Sequence, residues 1–403
     1  MGTDTNAALL TSALAEMQRV APHPPVVVMA GDFLGHGVLP NEATSTMATL
    51  AHQFGAAFPQ AQFVIALGNE DSDCGDFGAS MNSPFLHAVA AAWEPLVNRD
   101  GAAPNFLRTF GYDGFYTARL PVHGLRAIVI NNTFWSPFYR PWCGHDGDAT
   151  VRSFAELETA LGSGGAQRRW LVMHIPPGID AGTTAQLAHD LAIVPFLRAG
   201  PLRRFLALAG DPSRGVAAVI TGHAHRFGYR IIDAYGRTPI PVLVAPALSP
   251  IYGSLPAFLT AHVGSDGTLR GVEEHSLVSG QWRDLGGWEA LGAPDLSGAS
   301  LVRLQRRLED DLAARTAFAT LYAGPIRWNE INTQNWPAYT CATTELDMRS
   351  FRACTDAGGF GWLTSRGVTV TVVAVAACAA LVCLACGAAI ASKRRRRARR
   401  QVR

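Results

Sequence analysis

The run from Val216 to Ile220 leads through Thr221 and Gly222 into two histidines separated by a single alanine, His223 and His225. A short, β-branched apolar run bounded by glycine reads as a strand buried on both faces. Side chains two apart on an extended chain point the same way, so both imidazoles stand together at a strand's carboxyl end, where open α/β sheets carry their ligands. That pairing suits a metal ion or a phosphate, and a turn with two solvated histidines is the bland alternative.

The same design recurs. Val26 to Met29 runs into Gly31 and Asp32, and Phe63 to Leu67 runs into Gly68, Asn69, Glu70 and Asp71. Trp170 to Met173 runs into His174, followed by two prolines and a glycine that stop any regular element. Alone, Asp32 reads as a helix cap, Asn69 as a turn residue and His174 as a satisfied core histidine. Together they place carboxylate, amide and imidazole groups at four equivalent strand ends, which is the pattern of a converging ligand set.

These residues are similar to four of the five motifs of the calcineurin-like metallophosphoesterases: Gly-Asp at Asp32, Gly-Asn-x-Asp at Asn69, His174, and Gly-His-x-His at 222–225. Within that family "GNEDSDCGD", "HIPPG", "GHAHRF" and "APALSPIYGSLPAF" resemble the acid sphingomyelinase-like branch, and the resemblance covers Asp4 to Gln281. It implies an α/β fold, a four-layer α/β/β/α sandwich with two metal ions. It also implies that Asp32 bridges the ions, that Asn69, His174 and His223 hold one, and that His225 holds the other. The chemistry agrees: a phosphodiester or phosphomonoester needs charge neutralisation and a nucleophile at neutral pH, and two divalent ions supply both. Mixed imidazole and carboxylate ligands suit Zn, Fe or Mn better than Mg or Ca, and Zn is the ion expected here.

Two departures matter. Many members have histidine where this chain has Glu70; a carboxyl group acts there as an acid only if burial or a negative neighbour raises its pKa, and an outlying or surface role is the other reading. His36, His87 and His145 are further candidates for acid or phosphate contact, and Tyr252 lies in a segment expected beside the metals. The catalytic group is thus read as Asn69, Glu70 and His174, with His36, His145 and Tyr252 lining the substrate pocket. The second departure is the missing Asp-x-His on the first strand, which leaves one ion short of ligands. In its place Asn6, Leu9, Leu10, Leu14 and Met17 describe a capped helix. The expectation is a native chain that begins about 40–70 residues earlier, with a signal peptide and a first strand.

The chain has 403 residues and a formal charge of +2, but the tail from Lys393 holds eight basic residues. Without them, 26 basic residues face 32 acidic ones. The body therefore carries no basic excess, and nucleic acid is excluded as its partner. The tail follows 26 uncharged residues, 367–392, long enough to cross a bilayer. Flanking arginines place the tail in the cytoplasm and the body outside. The sequence thus divides into a catalytic domain (1–281), a Gly- and Trp-rich linker (282–300), a small helical module (301–362), a transmembrane helix (367–392) and a basic tail (393–403). An outside location permits disulfides, with Cys341–Cys354 the first candidate pair and Cys74–Cys143 a second. The functional expectation is a membrane-anchored, metal-dependent phosphoesterase acting on a sphingomyelin-like or nucleotide-type phosphodiester. The alternative is a binding protein on a scaffold that has lost the reaction, motivated by the absent Asp-x-His and by Glu70.

Overall fold

A computed structural model describes residues 3–144, 148–162, 167–187, 193–233, 238–287, 290–324 and 331–357. Its strands are β1 (Val26–Met29), β2 (Gln62–Ile65), β3 (Tyr116–Arg119), β4 (Leu125–Ile130), β5 (Arg168–Met173), β6 (Val216–Thr221), β7 (Gly228–Ile232), β8 (Ile240–Val244), β9 (Ala257–Val263), β10 (Leu269–Val278) and β11 (Gln281–Gly287). Six of them form the central sheet in the order β3-β4-β5-β6-β8-β7. Its middle pairings, β4 with β5, β5 with β6 and β6 with β8, are parallel, and antiparallel β3 and β7 close the two edges.

Parallel strands need both faces covered, and the period of two shows how. In β4, Ala127 and Val129 join one core while Ile128 and Ile130 join another. In β5, Trp170 and Val172 face the first, with Leu171 and Met173 facing the second. Phe154, Leu157 and Leu161 of helix Ala149–Gly162, with Leu202 and Phe205 of helix Ala199–Ala209, complete the second core. The first core is larger, taking in β2, the helices Pro40–Ala57 and Pro84–Val97, and Leu269 and Val272 of β10.

The four-layer sandwich is not reproduced as such. Parallel β1 and β2 form a sheet of two strands, and β11-β10-β9 form a separate sheet of three. Among the described residues no strand joins them, so no second continuous sheet forms. With β2 on one side only, the apolar strand β1 stays half-buried along its whole length, whereas β2 is buried throughout.

The C-terminal part also differs from its sequence reading. The linker expected over 282–300 begins with strand β11. The leucine-rich stretch after it forms two helices, Gly298–Asp310 and Leu312–Ala323, because the Asp311 carboxylate accepts the Ala313 and Ala314 N–H groups and restarts the helix. Leu312, in step with the buried Leu301, Leu304 and Leu308, is consequently 72% exposed. These helices are not a module apart: Leu301, Leu304, Leu308, Phe318 and Trp336 belong to the same core as Phe63 and Trp170. A disulfide between Cys341 and Cys354 joins helices Trp336–Thr344 and Met348–Ala357. Among the described residues no helix is long and apolar enough to cross a membrane. The apolar run 367–392 and the basic tail lie outside the described residues.

Candidate metal centre

The carboxyl ends of β1, β2, β5 and β6 converge. Gly31 and Gly68 let the loops after β1 and β2 touch: a Cβ on Gly68 would lie 2.1 Å from Asp32 Oδ1, and one on Gly31 would lie 2.5 Å from the Gly68 nitrogen. Asp32, His174 and His223 each offer a ligand atom within 4.8 Å of the others. Asn69 joins them through Oδ1, 3.1 Å from His174 Nε2.

The hydrogen-bond roles in this cluster follow from its partners. His174 Nδ1 lies 2.6 Å from the Ala30 carbonyl oxygen, which only accepts, so Nδ1 carries the hydrogen and the neutral ring turns the lone pair of Nε2 inward. Around Nε2 stand Asp32 Oδ2 at 2.9 Å, Asn69 Oδ1 at 3.1 Å and His223 Nδ1 at 3.2 Å. A proton on Nε2 serves one of these at a time, whereas a cation serves all four donors at once. Imidazole nitrogen with carboxylate and amide oxygen is the donor set of a borderline divalent ion. Burial pushes the Asp32 carboxyl upward, but His174 and His223 outweigh it and hold Asp32 well below the usual carboxylate range. Burial pulls His174 down, yet Asp32 raises it above the ordinary histidine value. Burial and the neighbouring His174 push His223 down to about 3.

The backbone is bent to make this arrangement. Asp32 (φ 58°), His223 (φ 66°) and His225 (φ 54°) occupy the left-handed region, which costs a residue with a side chain about 1–3 kcal/mol. His225 does not join the compact group. Its ring packs 4.9 Å from that of Tyr252, and its buried Nδ1 has no hydrogen-bond partner. Phe77 and Phe196 flank His223 edge-on, at 6.1 and 5.5 Å between ring centroids.

Three further residues hold the centre in place: Asp71, the last residue of the Gly-Asn-x-Asp motif, and Asp76 and Asn132, which sequence reasoning passed over. Asp71 is buried and accepts the N–H groups of Asp32, Phe33, Leu34 and Gly68 at 2.8–3.0 Å, tying the two loops together. Burial and the Asp32 charge push its carboxyl up to about 6 against those donors. Asp76 Oδ1 accepts from Asn69 Nδ2 at 2.8 Å and so turns Asn69 Oδ1 toward His174. Asn132, just after β4, bridges the main chain beyond His174 by donating to the Ile175 carbonyl and accepting the Ile175 N–H. Its one sequence signal is the Asn-Asn pair that ends an apolar strand. A disulfide from Cys74 to Cys143 closes the loop that carries Asp76 and Phe77.

Glu70 lies on the open side. Its N–H donates to Asp32 Oδ1, and its carboxylate oxygen is 3.4 Å from His36 Nε2. Burial, then Asp76, pushes the Glu70 carboxyl up to about 7. Tyr252, 60% exposed, bonds His36 Nε2 at 2.8 Å. His87 is bonded to Asn82 elsewhere, and His145 lies outside the described residues.

No family model matches the chain. Among curated proteins it is 27% identical over 284 residues to the sphingomyelinase phosphodiesterase D of Dictyostelium discoideum, covering 64% of this chain and 56% of that protein. It is 25% identical over 256 residues to the mouse cyclic GMP-AMP phosphodiesterase SMPDL3A, covering 61% of this chain and 54% of the relative. The relatives are phosphodiesterases. The chain spans about half the length of these two relatives.

Proposed function

We propose that the protein is a metal-dependent hydrolase of phosphodiesters, in the class of a sphingomyelin-like lipid or a nucleotide-type compound. The observation that carries the reading is the approach of His174 Nε2 to Asp32 Oδ2 at 2.9 Å, Asn69 Oδ1 at 3.1 Å and His223 Nδ1 at 3.2 Å, four donor atoms that one cation would satisfy together. The names of the relatives supply the substrate class. Asp32, Asn69, His174 and His223 would hold one ion, and His225, with its unpartnered buried nitrogen, would serve a second on the side of Asp32. When bound, divalent ions of the zinc type would neutralise phosphate charge and lower the pKa of a coordinated water. The remaining work falls to the chain. Phe77 and Phe196 exclude water from His223, and the mouth formed by His36, Glu70 and Tyr252 holds a proton for the departing oxygen. The uncharged run 367–392 with its basic tail is proposed as a membrane anchor, with the body outside, on sequence alone.

The test is hydrolysis of bis-(p-nitrophenyl) phosphate by the intact chain after loading with Zn, Mn or Fe. Asp32→Ala and His223→Ala should abolish turnover and lower bound metal while circular dichroism stays unchanged. Substantial activity in Asp32→Ala would end the reading. Metal-loaded protein without hydrolysis would favour the binding-protein alternative. For the anchor, protease added to intact cells should remove the body and spare the tail.

A further inference from the structure

We infer that Asp4 is a positioning residue that fixes the ring orientation and tautomer of His36 at the mouth of the metal centre, an inference that rests on the hydrolytic reading of that site. The Asp4 carboxylate makes three polar contacts with two separate segments. Oδ2 accepts the His36 backbone N–H at 2.8 Å, and Oδ1 lies 3.2 Å from His36 Nδ1 while accepting the Ser249 hydroxyl at 3.0 Å. The approach depends on Gly35, where a Cβ would stand 3.1 Å from both Cβ and Cγ of Asp4. The arm that delivers Asp4 is itself held: two residues on, Asn6 caps helix Ala7–Val20 by accepting the Leu9 N–H at 2.9 Å.

The chemistry follows from what each partner can do. An ionised carboxylate only accepts, so the hydrogen of a neutral His36 ring sits on Nδ1. Nε2 then carries the lone pair, which accepts the Tyr252 hydroxyl at 2.8 Å and lies 3.4 Å from Glu70 Oε1. Burial pulls the His36 ring down, but Asp4, Glu70 and Asp32 together raise it above the ordinary value. A carboxylate behind an imidazole whose far nitrogen faces the reacting side is the arrangement by which enzymes keep a histidine in one tautomer through turnover. The N-terminal arm, the loop after β1 and the loop after β8 are thus joined at one ring.

The experiment combines two readouts on the full chain. Long-range proton–nitrogen NMR of the histidine rings reports the His36 tautomer, and steady-state hydrolysis of bis-(p-nitrophenyl) phosphate by the Zn-loaded protein reports kcat and KM. In the unaltered protein His36 should carry its hydrogen on Nδ1. Asp4→Ala should move the ring toward the Nε2–H form and lower kcat about tenfold, with KM and metal content within twofold. Asp4→Asn, whose amide oxygen still accepts, should restore part of both. Asp4→Ala should add nothing to His36→Ala, because it acts through that ring. An unchanged tautomer in Asp4→Ala would overturn the inference, whatever happens to rate or melting temperature. If the unaltered protein fails to hydrolyse phosphodiesters with any metal, the functional reading falls, and the tautomer measurement still decides the role of Asp4.

Discussion

The contact between Asp76 and Asn69 sets the affinity of the proposed centre for its ion, and Asp76→Ala tests this directly. An asparagine amide presents a ligand oxygen on one side and two hydrogens on the other. In the observed orientation Oδ1 points at His174 Nε2 and Nδ2 donates to Asp76 Oδ1 at 2.8 Å. Turning the amide over would direct its hydrogens at the His174 lone pair and block the ion. With Asp76 present, that flip forfeits a hydrogen bond to a charged acceptor, worth about 1.5–3 kcal/mol. Without Asp76 the flip forfeits nothing and gains a bond to Nε2. The competent orientation then becomes the minor one, and apparent metal affinity falls by its lost population, about 3- to 15-fold for a gained neutral hydrogen bond of about 0.5–1.5 kcal/mol. Competition of the intact chain with a chromogenic chelator for Zn would measure the loss. Asn69→Asp has no amide to turn, so adding Asp76→Ala to it should cost no affinity. Zn affinity within twofold of the unaltered protein in Asp76→Ala, at unchanged melting temperature, would refute the reasoning.

Other outcomes follow from the same packing. Gly68→Ala should destabilise the chain by about 1–3 kcal/mol in urea unfolding and weaken metal binding, because its Cβ would meet Asp32 at 2.1 Å. Burial pushes the Glu274 carboxyl up to about 8, with one oxygen bonded by Ser276 and the other unpartnered. With its folded pKa above the unfolded one, its stability contribution is complete below about pH 4.5 and is lost as pH rises through about 8. Glu274→Gln should therefore melt higher than the unaltered protein at pH 8.5, and the gap should close by pH 4. A chain ending at residue 296 should bind hydrophobic dye and lose cooperative unfolding, since it lacks Leu301, Leu304, Leu308 and Phe318 of the main core.

Which parts of this site could be read from sequence follows from where each residue's partners lie. Asp32, Asn69, His174 and His223 were legible because the signal is local: an apolar strand, a small residue or breaker, then a ligand type. The roles of Asp71 and Asp4 were not, because most of their partners lie 32–39 positions away along the chain, or 245 in the case of Ser249. A loop aspartate carries no mark that it will accept four main-chain N–H groups. The helix expected after Asn6 formed with its cap. The linker and separate module at the C-terminus did not, because composition near Trp282 gives no account of the face that β11 and the helices cover. His225 was grouped with His223 by spacing, and the left-handed turn at both residues sends its ring toward Tyr252 instead.

The three left-handed residues of the site bear on how its selectivity arises. Asp32, His223 and His225 take left-handed angles, each at a cost of about 1–3 kcal/mol, and the loops that carry them are locked by Asp71 and by the close approach of Gly31 and Gly68. In the proposed centre, an ion that demands a different spacing would have to deform this frame. The same strain that costs stability would then disfavour an ion of the wrong size.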